Sequence, residues 1–169
     1  MGYVHDVSMS QFLGPNDCMV SAGTWTDVVA SNVWSKNRTA NASSFTLKIP
    51  VKIPSNSVSS RGAYLKSIDV WYLIATADAT DFATVALYKD TLPVTGTLMT
   101  AATVAVTVDT GHDTAAERKA QDEHKMTITL DTAAWIDNDE AYHVELIVSA
   151  AAGTVFKYFG ARINYTLRV

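Results

Sequence analysis

The sequence predicts an all-β fold: a two-sheet antiparallel β-sandwich, jelly-roll-like, of about eight strands with one short helix. Three observations carry that expectation. Twenty Thr and eighteen Val among 169 residues supply β-branched side chains, whose stiff χ1 suits a pleated, half-buried surface. Apolar residues recur at a spacing of two in several segments, the period of a strand with one buried face. Turn-forming clusters separate those segments at the interval of an antiparallel sandwich. An immunoglobulin-like sandwich is the second topology, and no repeat at solenoid or propeller periods is visible.

Taken in order, residues 1–22 show no sustained period of two, and Gly14-Pro15-Asn16-Asp17 is a turn signal. They read as an N-terminal arm, with Tyr3, Val4, Val7, Met9, Phe12 and Leu13 as apolar handholds. The sandwich domain is expected over residues 23–169. Its first segments, 24–30 and 32–35, carry Trp25, Val28, Val29, Val33 and Trp34, and residues 35–41 read as a polar loop. Phe45, Leu47, Ile49, Val51 and Ile53 then form the cleanest strand, with Pro50 marking an edge or a bulge because it has no N–H. Residues 64–76 form a long strand with Ile68, Val70, Tyr72 and Ile74 on one face and Leu65, Trp71 and Leu73 on the other. Apolar on both faces, it is expected to be central or covered twice.

Further strands are expected at 82–89 and at 103–108, on either side of a loop holding Pro93 and Gly96. Residues 114–121 are the only run of good helix formers, and Thr114 with Glu117 has the spacing of a capping box. At about two turns, that helix needs the sheet to lean on. Met126, Ile128 and Leu130 resume the alternation, followed by Tyr142, Val144, Leu146 and Val148. A last strand runs from Val155 to the end of the sequence.

Composition narrows the function classes. The formal charge is −4 and only 18% of residues are charged, against about 25% in an ordinary domain. The acidic balance argues against a nucleic-acid or anionic-membrane partner. Cys18 is the only cysteine, which excludes an intrachain disulfide framework. No 18-residue apolar run and no basic, apolar leader is present, so neither a transmembrane helix nor a signal peptide is expected. Thr and Ser at outward strand positions cost less to desolvate than Lys or Glu, which suits a surface that meets another subunit.

Few constellations suggest chemistry. Gly111-His112-Asp113 and Asp122-Glu123-His124 flank the helical run, which makes His112, Asp113, Asp122 and His124 the weak candidates for a metal site. They lack a recognised ligand spacing. Asp131 and Asp137-Asn138-Asp139-Glu140 are rich in oxygen, yet lack the glycine and ligand order of a calcium loop. Cys18 has only His5 near it in sequence, and no nucleophile elbow or phosphate-binding glycine motif occurs. His143 falls opposite the apolar register of its strand, at an exposed or interfacial position. Sequons at Asn37, Asn41 and Asn164 are expected by chance in a chain this rich in Ser and Thr. No cofactor and no catalytic residue is assigned. Trp25, Trp34, Trp71 and Trp135, with Tyr64 and Tyr88, are the aromatic residues available to a sugar-binding face.

The strand Gly62-Ala63-Tyr64-Leu65-Lys66-Ser67-Ile68-Asp69-Val70-Trp71-Tyr72, the segment Ala86-Leu87-Tyr88-Lys89 and the ending Gly160-Ala161-Arg162-Ile163-Asn164-Tyr165 resemble uncharacterised β-sandwich proteins of tailed-phage and environmental viral genomes. These are similar to virion structural or decoration components, and the resemblance implies a symmetric assembly on a shell or fibre. The expected function is therefore a non-enzymatic structural protein forming subunit contacts in a virion-type assembly, as a capsid, decoration or fibre component located in the virion. Its partners would be further copies of itself, a trimer being one common closed symmetry, and other virion proteins. The subunit-contact residues are Tyr3, Val4, Met9, Phe12 and Leu13, with Trp71 and Leu73 secondary. The alternative is a carbohydrate-binding or adhesion module using exposed Trp and Tyr, with a glycan as its partner.

Overall fold

Twelve strands and one short helix form in the computed structural model, which describes residues 5–29, 32–55, 62–93, 95–96 and 98–168. The strands are β1 (Asp6–Leu13), β2 (Met19–Val20), β3 (Trp25–Val28), β4 (Ser35–Arg38), β5 (Ser44–Val51), β6 (Gly62–Ala75), β7 (Asp81–Thr91), β8 (Thr100–Val104), β9 (Val106–Val108), β10 (Glu123–Trp135), β11 (Glu140–Ser149) and β12 (Val155–Arg168). The helix, α1 (Ala115–Lys119), lies between β9 and β10. One sheet has seven strands in the order β3-β4-β12-β6-β10-β9, with β1 also paired to β12. The other has five, in the order β2-β5-β11-β7-β8. Every pairing is antiparallel. The two-sheet antiparallel sandwich with one short helix stands as expected. The strand count exceeds eight because β1 forms within the expected arm, β8 and β9 divide one expected segment, and β2 and β4 are short. β4, for example, is the polar stretch Ser-Lys-Asn-Arg, in which no period of two is visible.

Burial follows the alternation. Phe45, Leu47 and Ile49 of β5, Val144, Leu146 and Val148 of β11, and Ile68, Val70, Tyr72 and Ile74 of β6 are all buried between the sheets. Fully burying each such side chain stabilises the fold by roughly 1.5–3 kcal/mol before entropy is counted. β6 is central, between β12 and β10, and Trp71 and Leu73 lie half-buried on its outer face. Leu65 does not join them. The pairing of β6 with β12 shifts register between Asn164 and Tyr165, and its pairing with β10 shifts between Thr129 and Ala134. A bulge turns the following side chains to the opposite face, so Leu65 is fully buried with Ile68. Pro50 lies beyond the two residues of β5 that β2 pairs, Lys48 and Leu47. Its missing donor thus falls on a free edge, as expected.

The lead-in is more ordered than the sequence suggests. Over its whole length β1 pairs with β12, from Asp6 opposite Arg168 to Leu13 opposite Ala161. Leu13 is 2% exposed and belongs to the core of its own chain, which corrects its assignment as a subunit-contact residue. Tyr3 and Val4 lie outside the described residues. Met9 and Phe12 are exposed. The helix is capped as expected, with Thr114 Oγ1 accepting from the Glu117 amide and the Glu117 carboxylate accepting from the Thr114 amide. The buried Arg118 ties α1 to the sandwich by donating to the carbonyls of Phe82, Ala83, His112 and Asp113.

Gly160 is where β1 can close on β12. Its φ is +130°, and a Cβ there would lie 2.5 Å from the Leu13 carbonyl oxygen and 2.6 Å from the Phe12 ring. Both the backbone region and the space exclude a side chain. Gly160→Ala is expected to lower stability by about 1–3 kcal/mol in urea unfolding, with the β-rich circular dichroism retained. An unchanged midpoint would contradict the close approach of β1.

Candidate functional site

The outward positions of the five-stranded sheet come together through register. His143 of β11 is opposite Pro50 of β5 on one side and Tyr88 of β7 on the other. Glu145 is opposite Lys48, and Lys48 opposite Met19 of β2. Asp90 of β7 is opposite Ala141 and Ala101. Side chains directly opposite one another share a face. Three rows of side chains therefore cross the sheet, and together with Met99 they line a shallow groove of about 490 Å³. That volume lies in the range of small-ligand sites.

The central row brings together three rings, those of Pro50, His143 and Tyr88. The rings of His143 and Tyr88 stack at 5.4 Å between centroids and 23° between planes. Polar groups flank that row on both sides. Lys48 Nζ lies 3.1 Å from Glu145 Oε2, and His143 Nδ1 lies 2.9 Å from Asp90 Oδ2. Met19 and Met99, 64% and 56% exposed, stand at opposite ends as flexible apolar walls. Ala101 and Ala141 leave open space above the sheet. Two carboxylates, Asp90 and Glu145, stand beside one ammonium, Lys48, and one imidazole, His143, so the groove offers no cationic field to a phosphate. Both groove carboxylates are already engaged by Lys48 and His143.

One atom in the groove is left without a partner. His143 Nε2 is shielded from solvent and makes no hydrogen bond. With the Asp90 carboxylate beside it, Nδ1 is the nitrogen that donates. A buried, unsatisfied polar atom costs about 1–3 kcal/mol, and functional sites are where such costs are tolerated.

Of the six aromatic residues read as a possible sugar face, Tyr88 lines this groove. Trp25 packs edge-on against Phe45 and Phe156. The Trp34 ring covers Gly14, whose added Cβ would lie 2.2 Å from it. Trp71 lies under the Arg162 guanidinium on the far side of the sandwich, and Trp135 is covered by Tyr64 and Arg168. Arg162 also pairs with the buried Asp69, which accepts from Thr127 and Asn164 as well. Burial pushes the Asp69 carboxyl up, but Arg162, Thr127 and Asn164 outweigh it and hold it below the usual carboxylate range. The Asn164 sequon side chain is thus committed to structure.

The metal candidates separate. His112 and His124 come together, with Nε2 of one 3.1 Å from Nδ1 of the other. Asp122 instead accepts from the Glu123 amide, and Asp113 faces Glu117. Among the described residues, no group of three or more His, Cys, Asp or Glu is placed to hold a metal ion. Asp137 and Glu140 cap a turn and bind Lys89 and Tyr142, which accounts for the oxygen-rich stretch. Cys18 is buried, its Sγ–H directed at the Pro15 carbonyl, and burial pushes the thiol up to about 11.

No family model and no curated protein matches the chain. Solved structures do. One is a family 61 carbohydrate-binding module, TmCBM61, bound to β-1,4-galactotriose, 10% identical, covering 96% of this chain and 88% of its own, with a TM-score of 0.38. A second, from work on promiscuous specificity in β-sandwich carbohydrate-binding modules, is 9% identical, covering 97% of this chain and 56% of its own, with a TM-score of 0.38. A third is the family 11 module of Clostridium thermocellum bound to a β-1,3-1,4-mixed-linked tetrasaccharide, 9% identical, covering 96% and 89%, with a TM-score of 0.37. At this identity the likeness is one of fold alone. The expectation of a structural protein making subunit contacts in a virion is corrected. The arm meant to reach a neighbour is instead paired into its own sheet, and Leu13 is buried in its own core.

The unpartnered Nε2 has a measurable consequence. His143→Phe combined with Asp90→Ala keeps a ring beside Tyr88 and removes the orphaned atom together with the carboxylate that His143 holds. Thermal unfolding is expected to give a midpoint equal to or above that of the wild type. A midpoint several degrees lower would show that His143 is a structural rather than a site residue.

Proposed function

We propose that the chain is a carbohydrate-binding β-sandwich module whose outer groove on the five-stranded sheet holds a neutral oligosaccharide. The observation that carries this reading is the row Pro50–His143–Tyr88, flanked by Lys48–Glu145 on one side and Asp90 on the other. A pyranose has an apolar C–H face and a rim of hydroxyl groups that both donate and accept. Flat rings meet the first requirement. Ammonium and carboxylate groups at the edges meet the second, through charge-assisted hydrogen bonds. The lack of a cationic excess in the groove favours a neutral sugar over a phosphorylated or sulfated one. An open groove along a sheet accommodates a chain of sugars, and its shallowness makes binding weak and side-on.

The role is binding rather than catalysis. Each carboxylate in the groove is held by a cation or an imidazole, and Asp90 and Glu145 stand in outer rows on either side of the His143–Tyr88 row. Neither is placed as one half of an acid–base pair about a single bond.

A glycan array followed by calorimetry tests the reading. The wild type is expected to bind one class of neutral oligosaccharide, and Tyr88→Ala to weaken that binding at least tenfold, about 1.4 kcal/mol. Trp34→Ala and Trp71→Ala, away from the groove, should leave it unchanged. A blank array, or binding lost with Trp71 and kept without Tyr88, would refute the assignment.

A further inference from the structure

A row of hydrogen bonds runs through the segment 109–124, which carries α1. Asp109 Oδ1 is 2.7 Å from His112 Nδ1. His112 Nε2 is 3.1 Å from His124 Nδ1, and His124 Nε2 is 3.0 Å from the Ala120 carbonyl oxygen. Both ends of the row are oxygens that accept. The Asp109 carboxylate also accepts from the Gly111 and Thr127 amides. Burial pushes its carboxyl up, but the Thr127 amide and His112 outweigh that and hold it below the usual carboxylate range, so it stays ionised. A carbonyl oxygen has no proton to give. Three hydrogen bonds with acceptors at both ends need three ring N–H protons, whereas two neutral imidazoles carry two.

We infer that His112 and His124 together hold one extra proton, shared between Nε2 of the first and Nδ1 of the second, and that this proton latches the α1 segment to the sheet. With the proton gone, two lone pairs face each other at 3.1 Å. With a second one added, two N–H groups face each other instead. The latch is closed only in the singly protonated state.

The groups around the pair fit a single positive charge. Asp109 supplies the opposite charge at one end. Tyr72 of β6 stacks on His124 at 4.6 Å and 10°, and its hydroxyl donates to the Arg118 carbonyl, so it stays neutral. From α1, Glu117 favours the charge and Arg118, donating to the His112 carbonyl, disfavours it. Asp113 neighbours His112 in sequence, and Asp122, Glu123 and Lys125 neighbour His124 at the start of β10. The segment closes one end of the sandwich through Arg118 and the Tyr72 hydroxyl, so opening the latch loosens α1 without unpairing the sheets.

The sign follows from proton counts on both limbs. On the alkaline side the folded pair binds a proton that the unfolded chain does not, so the stability it gives is lost as pH rises. On the acid side the unfolded chain binds two protons where the closed latch holds one, so it is lost again as pH falls. The protection is therefore bell-shaped in pH.

Nitrogen-15 spectra of the imidazole rings, with amide exchange over residues 113–121, read this in the wild-type protein. Expected are three ring N–H protons across the two residues at the pH of greatest protection, and exchange corrected for intrinsic rate that is at least tenfold faster on either side. In His112→Gln the pH dependence of that exchange should flatten while the β-sheet amides keep their protection. Two ring N–H protons at the protection maximum, or pH-independent protection in the wild type, would overturn the latch. So would stoichiometric uptake of Zn²⁺ or Cu²⁺ by chelator-treated protein with loss of the shared N–H, which would assign the gap to a metal ion.

Discussion

The register of β11 between β5 and β7 is the constraint on which the rest depends. Strand side chains alternate faces, so a slip of one residue would send Val144, Leu146 and Val148 outward and carry His143 and Glu145 into the core. The buried set fixes the exposed set: the hydrophobic burial that stabilises the sandwich also aligns Pro50, His143 and Tyr88 into one row. No loop is needed to place them. A site built on a ladder inherits its rigidity, which keeps the ordering cost of weak binding low.

Two imidazole systems carry opposite bookkeeping. In the groove, Asp90 settles one nitrogen of His143 and the other is left unsatisfied in the free protein. At the end of the sandwich every nitrogen of His112 and His124 has a neighbour, and the surplus is one of acceptors over protons. The first pattern leaves one nitrogen without a partner. The second needs one proton to be complete. Such distinctions come from who faces whom, since burial alone treats the three histidines alike as half-buried strand and loop residues.

Much of the sandwich was legible because its signal is local. The alternations in β5, β10 and β11, the edge position of Pro50 and the Thr114–Glu117 cap all follow from neighbours in sequence. Leu65 escaped because a bulge is made between strands, and β1 escaped because the alternation of Val7 and Met9 breaks at Gln11 and ends on adjacent Phe12 and Leu13. The site was harder still. Lys48, His143 and Glu145 were readable as outward, but that His143 meets Tyr88 and Lys48 meets Glu145 depends on pairings across many residues of chain. The tryptophans drew attention as the largest aromatic surfaces, yet packing had claimed Trp25 and Trp135, and Arg162 had covered Trp71. Low charge pointed to subunit contact. It is equally the composition of a sheet face that binds an uncharged ligand.

The claim that the five-stranded sheet is a binding face is tested most directly by titrating nitrogen-15 labelled protein with the oligosaccharide selected on an array and following amide shifts. The account predicts saturable shifts concentrated at residues 48–50, 88–90, 101 and 141–145, with the seven-stranded sheet unmoved. Shifts centred on Trp71 and Arg162, or none at saturating sugar, would contradict it.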